Sequence, residues 1–104
     1  MIVVNTEAVP GKEITSLKGM VFGNTIRAKD LGRDVGAALK SLVGGELHSY
    51  TNLLSEARQE AVDRMVKNAE QVGANAIVNV RLTTATVANG AAEICAYGTA
   101  VVVM

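Results

Sequence analysis

Four side chains in this 104-residue chain stand out for the chemistry they could do: Cys95, His48, Arg58 and Arg81. Cys95 is the only thiol and His48 the only imidazole. Soft metals favour thiolate, and imidazole suits zinc, copper and nickel. A structural zinc site takes four protein ligands, and a catalytic one takes three plus water. One thiol and one imidazole in separate elements, at no ligand spacing, fall short of that count. The expectation is a small strand residue at Cys95 and a polar helix-start residue at His48, with no tight metal site in one chain and no resident cofactor. A ring that gathers one ligand per copy at its axis would escape this limit. A nucleophilic Cys95–His48 pair would need contact and an orienting third group, and nothing in the sequence supplies one, so no enzyme activity is expected.

Arg58 lies beside the apolar stripe of a helix rather than on its charged face. Arginine can bury its stem and hold a rigid fork of donors against a carboxylate or an anion. An ion pair with Glu46 or Glu93 is one expectation, and an anion-binding role in a pocket between subunits is the other. Arg81 can be read as a solvent-facing strand residue, as a partner for an acidic side chain across a ring of copies, or as a ligand contact. Gly44-Gly45 and Gly98-Thr99 fit neither a P-loop nor a dinucleotide fingerprint.

Elements positioning these residues can be read from spacing. Residues 1–9 start as a short apolar strand, Ile2-Val3-Val4, before a Pro10-Gly11 turn, and a long strand over 12–27 follows, which Gly19 and Gly23 should bend or break. A first helix is expected over 31–43, capped by Asp30 and ended by Gly44-Gly45. A second runs over 49–72 from Ser49 to Gly73, with Tyr50, Leu54, Ala57, Ala61, Met65 and Val72 as its stripe. Glu60→Arg64 and Asp63→Lys67 have the favourable i,i+4 order. Strands over 75–88 and 91–103 then flank Asn89-Gly90, a strong hairpin signal. The order is ββααββ, an α+β two-layer sandwich with an antiparallel sheet covered on one face by helices.

A two-residue turn places Val78, Val80, Leu82 and Thr84 opposite Val101, Thr99, Tyr97 and Cys95, and this bulkier face should meet the helices. A bulge would exchange the faces of one strand. The tail Ala100-Val101-Val102-Val103 is apolar on both faces and calls for a second cover, which a neighbouring subunit could give.

Composition narrows the classes. Ten Lys+Arg balance ten Asp+Glu, and a neutral chain is not a default nucleic-acid binder. No apolar run reaches about 18 residues, so no membrane span is expected. The N-terminus lacks the look of a signal peptide, and the single cysteine fits a reducing cytoplasm. The chain should be one domain over 1–104. Alanine and valine supply 15 residues each, against one Phe, two Tyr and no Trp, so excess small apolar surface points to burial between subunits.

Gly44-Gly45-Glu46, Tyr50, Ala57-Arg58, Ala61, Met65, Ala69, Gly73-Ala74-Asn75-Ala76 and Tyr97-Gly98-Thr99-Ala100-Val101 occur in this order. On that joint pattern the chain resembles the YbjQ-like family of small bacterial and archaeal proteins, which carries a heavy-metal-binding label. The resemblance implies a dodecin-like subunit and a ring-shaped homopentamer, and no established activity.

Overall fold

The computed structural model describes residues 1–27, 44–88 and 91–104, and side chains over 1–26, 54–85 and 93–104. The helix expected over 31–43 and the Asn89-Gly90 turn lie outside the described residues. Four strands and one helix are described: β1 (Ile2–Val3), β2 (Ile14–Arg27), α1 (Gly44–Gln71), β3 (Ala76–Ala88) and β4 (Ala91–Val103). They form one sheet in the order β1-β3-β4-β2. The sheet is mixed rather than purely antiparallel, because β1 runs parallel to β3.

Turn chemistry sets the entry to β2. Val9-Pro10-Gly11-Lys12 closes with Lys12 N donating to Val9 O, and Gly11 takes φ +79°. Proline followed by glycine at positive φ is the signature of a type II turn. β2 then runs unbroken to Arg27, contrary to the expected break. Its irregularities fall between Ile14 and Gly19, where Gly19 adopts φ +107°. Gly23 stays in regular register opposite Ala96.

α1 begins at Gly44, earlier than the Ser49 start expected, so Gly44-Gly45 opens this helix. The first N–H groups of a helix have no intrahelical partner, and glycine is tolerated there. Its far end behaves as the sequence suggests. Gly73 takes φ +80°, its N–H donates to Glu70 O, and Ala74 N–H donates to Ala69 O. That pair of bonds is a Schellman cap. Ala57, Ala61, Met65 and Ala69 are fully buried, whereas Val72 lies beyond the last turn and is exposed.

The hairpin has the expected strands and a different register. Ala88 faces Ala91, but shifts between Thr86 and Ala88 and between Val78 and Arg81 move the rest. The second is a bulge at Asn79, which adopts φ +54°. Asparagine tolerates that region better than most residues. The first shift exchanges the faces of β4 relative to Val80 and Leu82, and the bulge turns Ala76 and Val78 away from the helix. Ile94, Ala96 and Ala100 pack on α1 with Ile77 and Val80. Cys95, Tyr97, Thr99 and Val101 therefore turn away from the helix, which corrects the expected assignment.

The apolar tail finds its second cover within its own chain. Val101 and Val103 pack with Val9, Ala76 and Val78, joined by Ile2 and Val4 of the N-terminal segment. β4 lies inside the sheet, and this cluster sits on its face turned away from α1. Asn75 locks this end, with Nδ2 donating to Val103 O and Oδ1 accepting from Val103 N. An Asn75→Ala variant leaves a buried amide and carbonyl of Val103 unpaired, at about 1–3 kcal/mol for such a group. We expect an earlier unfolding midpoint in urea with an unchanged slope. An unchanged midpoint would show that the amide bridge contributes nothing.

Candidate functional site

The sheet face turned away from α1 carries most of the unabsorbed side chains. β2 places Met20, Phe22, Asn24 and Ile26 there, opposite Thr99, Tyr97, Cys95 and Glu93 of β4. β3 adds Arg81 opposite Tyr97, Thr83 opposite Cys95 and Ala85 opposite Glu93. Met20 is 63% exposed, Ile26 58% and Phe22 47%, which is unusual for apolar residues in one strand. The Phe22 and Tyr97 rings meet at 6.3 Å between centroids, tilted by 33°. That is an ordinary aromatic pair at the middle of the face. Beside it Asn24 Nδ2 donates to Glu93 Oε2 at 2.7 Å.

Arg81 reaches back to the N-terminal segment. Its Nη1 donates to Asn5 O at 2.8 Å and to Val80 O at 3.0 Å. Both acceptors are neutral carbonyls, and no carboxylate pairs with Arg81 among the described residues. Arg58 is exposed on α1, and no described residue hydrogen-bonds or ion-pairs with it. The suggested Arg58–Glu93 pair does not form, since Glu93 lies on the opposite face of the sheet and binds Asn24. Glu46 and His48 fall in α1, and their side chains lie outside the described residues.

Cys95 is half-buried between Asn24 and Thr83 on its neighbouring strands. Burial, and secondarily the Glu93 carboxylate, raise its thiol above the ordinary value of 9.0. Both effects penalise the charged thiolate. The thiol is therefore protonated at neutral pH and a poor nucleophile. A raised pKa favours folding below the unfolded value, and that contribution is lost as pH rises through the folded value. We expect iodoacetamide to modify Cys95 more slowly in the folded chain than in urea, with the ratio of rates narrowing as pH rises through the folded value. Equal rates would overturn the assignment.

A second cluster lies along the outer edge of β2, where Gly23, Asn24, Ile26, Arg64, Lys67 and Asn68 line an open groove. Asn68 Nδ2 donates to Phe22 O at 2.6 Å, and Arg64 Nη1 donates to Asn24 O. Arg64 is also held by Glu60. The Glu60–Arg64 pair was legible from i,i+4 spacing, but the reach of Arg64 and Asn68 to strand carbonyls was not.

Comparison with known sequences now bears on the site. Residues 1–104 match a family described as "Putative heavy-metal-binding", YbjQ_1. The chain belongs to the YbjQ family. Similar proteins include a UPF0145 protein of Clostridium perfringens, 54% identical over 98% of this chain and 96% of that one. A UPF0145 protein of Methanosarcina acetivorans is 55% identical over 100% of this chain and 98% of its own. Among solved structures, a protein of unknown function from Pediococcus pentosaceus, assigned to the DUF74 family, superposes with a TM-score of 0.67. It covers 100% of this chain and 98% of its own at 17% identity, so the likeness shows the fold.

The YbjQ label names a metal, and this chain's donors can be tested against it. Cys95 points away from α1, the helix that carries His48. Among the described residues no three His, Cys, Asp or Glu side chains come together. A protonated thiol beside an amide-bound Glu93 is a poor start for a soft-metal centre. The described donor set does not fit one. We expect zinc, copper and nickel titrations to show no submicromolar stoichiometric site in wild type. Tight binding lost in both Cys95→Ala and His48→Ala would reverse that.

Proposed function

We propose that this YbjQ-family protein is a non-enzymatic, homo-oligomeric structural or binding subunit of the cytoplasm, assembling through the outer face of β2 and β4. The supporting observation is the exposure of Met20, Phe22 and Ile26 in one line beside Tyr97. Exposed large apolar side chains grouped on one face, here interrupted at Asn24, are the kind of surface that marks association. A ring of five copies is what the family resemblance implies, and the strip supplies a surface on which such a ring could close. Net charge of +0 gives copies no overall repulsion to overcome. No described helix is long and apolar enough to cross a membrane.

Sedimentation and native mass at micromolar concentration test it. We expect a single species well above 10.8 kDa, reduced to monomer by Met20→Asp with Phe22→Asp. Both side chains are exposed in the single chain, so the variant should keep its fold. A wild-type monomer would refute the proposal. A second reading, a small-ligand module with sites between copies, is favoured by Arg81, whose guanidinium meets only carbonyls among the described residues. An anion retained in native mass spectra and lost in Arg81→Ala would support that reading.

A further inference from the structure

The direction of every backbone group along β2 follows from one bond at the other side of the sheet. Ile77 O accepts from Val4 N, so the polar groups of Ile77 face the N-terminal segment. Direction alternates along a strand, so Ala76 and Val78 face β4. Their partners Val101 and Thr99 face β3, which turns Ala100, Gly98, Ala96 and Ile94 toward β2. Those residues pair with Gly19, Val21, Gly23 and Thr25. Met20, Phe22, Asn24 and Ile26 therefore aim their N–H and C=O groups out of the sheet, at its open edge.

Among the described residues no strand pairs with this edge, and an unpaired edge of this length is a template for another strand. α1 does not leave it bare. Its buried stripe of Ala57, Ala61, Met65 and Ala69 rests on the sheet, with Leu54, Val62 and Val66 packed against the core. Arg64 and Asn68 project from the flank that overhangs β2. They fill the two middle carbonyls of the edge, Phe22 O and Asn24 O. An incoming strand needs those same acceptors, and Lys67 adds a charge along the same groove.

We propose that Asn68 and Arg64 are edge guards: they block strand addition at Phe22–Asn24 by the unpaired edge of a second copy of this chain. The available edge is β3 from Arg81 onward, which pairs with β1 only near Ala76 and Ile77 among the described residues. Joining β2 of one copy to β3 of the next is head-to-tail, and head-to-tail contacts that do not close grow into filaments. The guards hold the chain to finite forms, whether or not the outer face assembles copies.

The test is the double variant Arg64→Ala with Asn68→Ala, set beside Arg64→Lys with Asn68→Gln, which keeps donors at both positions. Circular dichroism, sedimentation and thioflavin fluorescence are followed over days at one concentration. We expect the alanine variant to keep its helix signal, to pass to heterogeneous high mass and to raise thioflavin fluorescence several-fold. The donor-keeping variant should stay at wild-type mass. A folded alanine variant with wild-type mass and no thioflavin response overturns the proposal. Amide exchange in wild type decides independently of how the variant folds. On the strand edge the guards bind carbonyls and no N–H, so Phe22 and Asn24 N–H should exchange fast beside protected Val21 and Gly23. Protection at Phe22 and Asn24 would show a strand paired there and refute the guards.

Discussion

Replacing Gly23 by alanine is expected to unseat α1 from the sheet. A Cβ at this position would lie 2.2 Å from Ala61 O, 2.3 Å from Met65 N and 2.9 Å from the Arg64 carbonyl carbon. All three are helix backbone, so no side chain can swing aside. Helix and strand touch main chain to main chain here, which explains why the buried helix stripe is mostly alanine. Overpacking a core costs about 1–3 kcal/mol and more where backbone must move. A whole domain of this kind has a net stability of only about 5–15 kcal/mol. A loss near 3 kcal/mol would lower Tm by about 12–24 °C, taking roughly 4–8 °C per kcal/mol for a chain of this length. Gly98→Ala is the control. Its Cβ would meet Ile77 Cγ2 at 2.8 Å, Val78 O at 3.0 Å and Val80 Cγ2 at 3.1 Å, looser approaches than those at Gly23 and only one of them to backbone. The expected order is wild type, then Gly98→Ala, then Gly23→Ala. A Gly23→Ala protein melting within a degree or two of wild type would show that the helix does not sit where Gly23 places it.

Gly23 also shows how far spacing reaches. Glycine within a strand signals a bend, a bulge or a close approach, and only the tertiary structure selects among these. At Gly19 the answer is an irregular register at positive φ, and at Gly23 it is the helix. The long strand, the α1 stripe, the Gly73 cap and the two hairpin strands were legible because each repeats a local period or carries a turn residue. β1 was legible as a short apolar strand, but its parallel pairing with β3 involves two residues and leaves no periodic trace. The bulge at Asn79 was not legible either. It turned Ala76 and Val78 to the outer face, and the shift between Thr86 and Ala88 moved Cys95 and Tyr97 there and Ile94 and Ala96 to the helix. Both faces of β4 are apolar enough to be buried, so hydrophobic pattern alone could not choose between them. The edge cluster was hidden for another reason. Arg64 and Asn68 are exposed polar residues of a helix, and only the overhang of α1 above β2 gives them strand carbonyls to meet.

Deleting residues 100–104 is expected to abolish folding, not merely assembly. Ala100, Val101 and Val103 are all buried within the single chain. Two fully buried valines are worth about 1.5–3 kcal/mol each in transfer terms. The deletion also removes the acceptor of Asn75 N at Val101 O, both Asn75 side-chain bonds to Val103, and the paired bonds between Glu13 and Met104. It ends the central strand β4 short of its contacts with β3 and the start of β2. The small cluster around Val9 then loses two of its five buried members. These losses together rival the net stability of a small domain. The truncated chain should show no cooperative urea transition and little native circular dichroism at any concentration. A tail serving only as an interface would behave differently, giving a folded monomer with a normal transition and reduced mass. A truncated protein with that behaviour would return the tail to the subunit interface and remove the internal cover assigned to Val9, Ile2 and Val4.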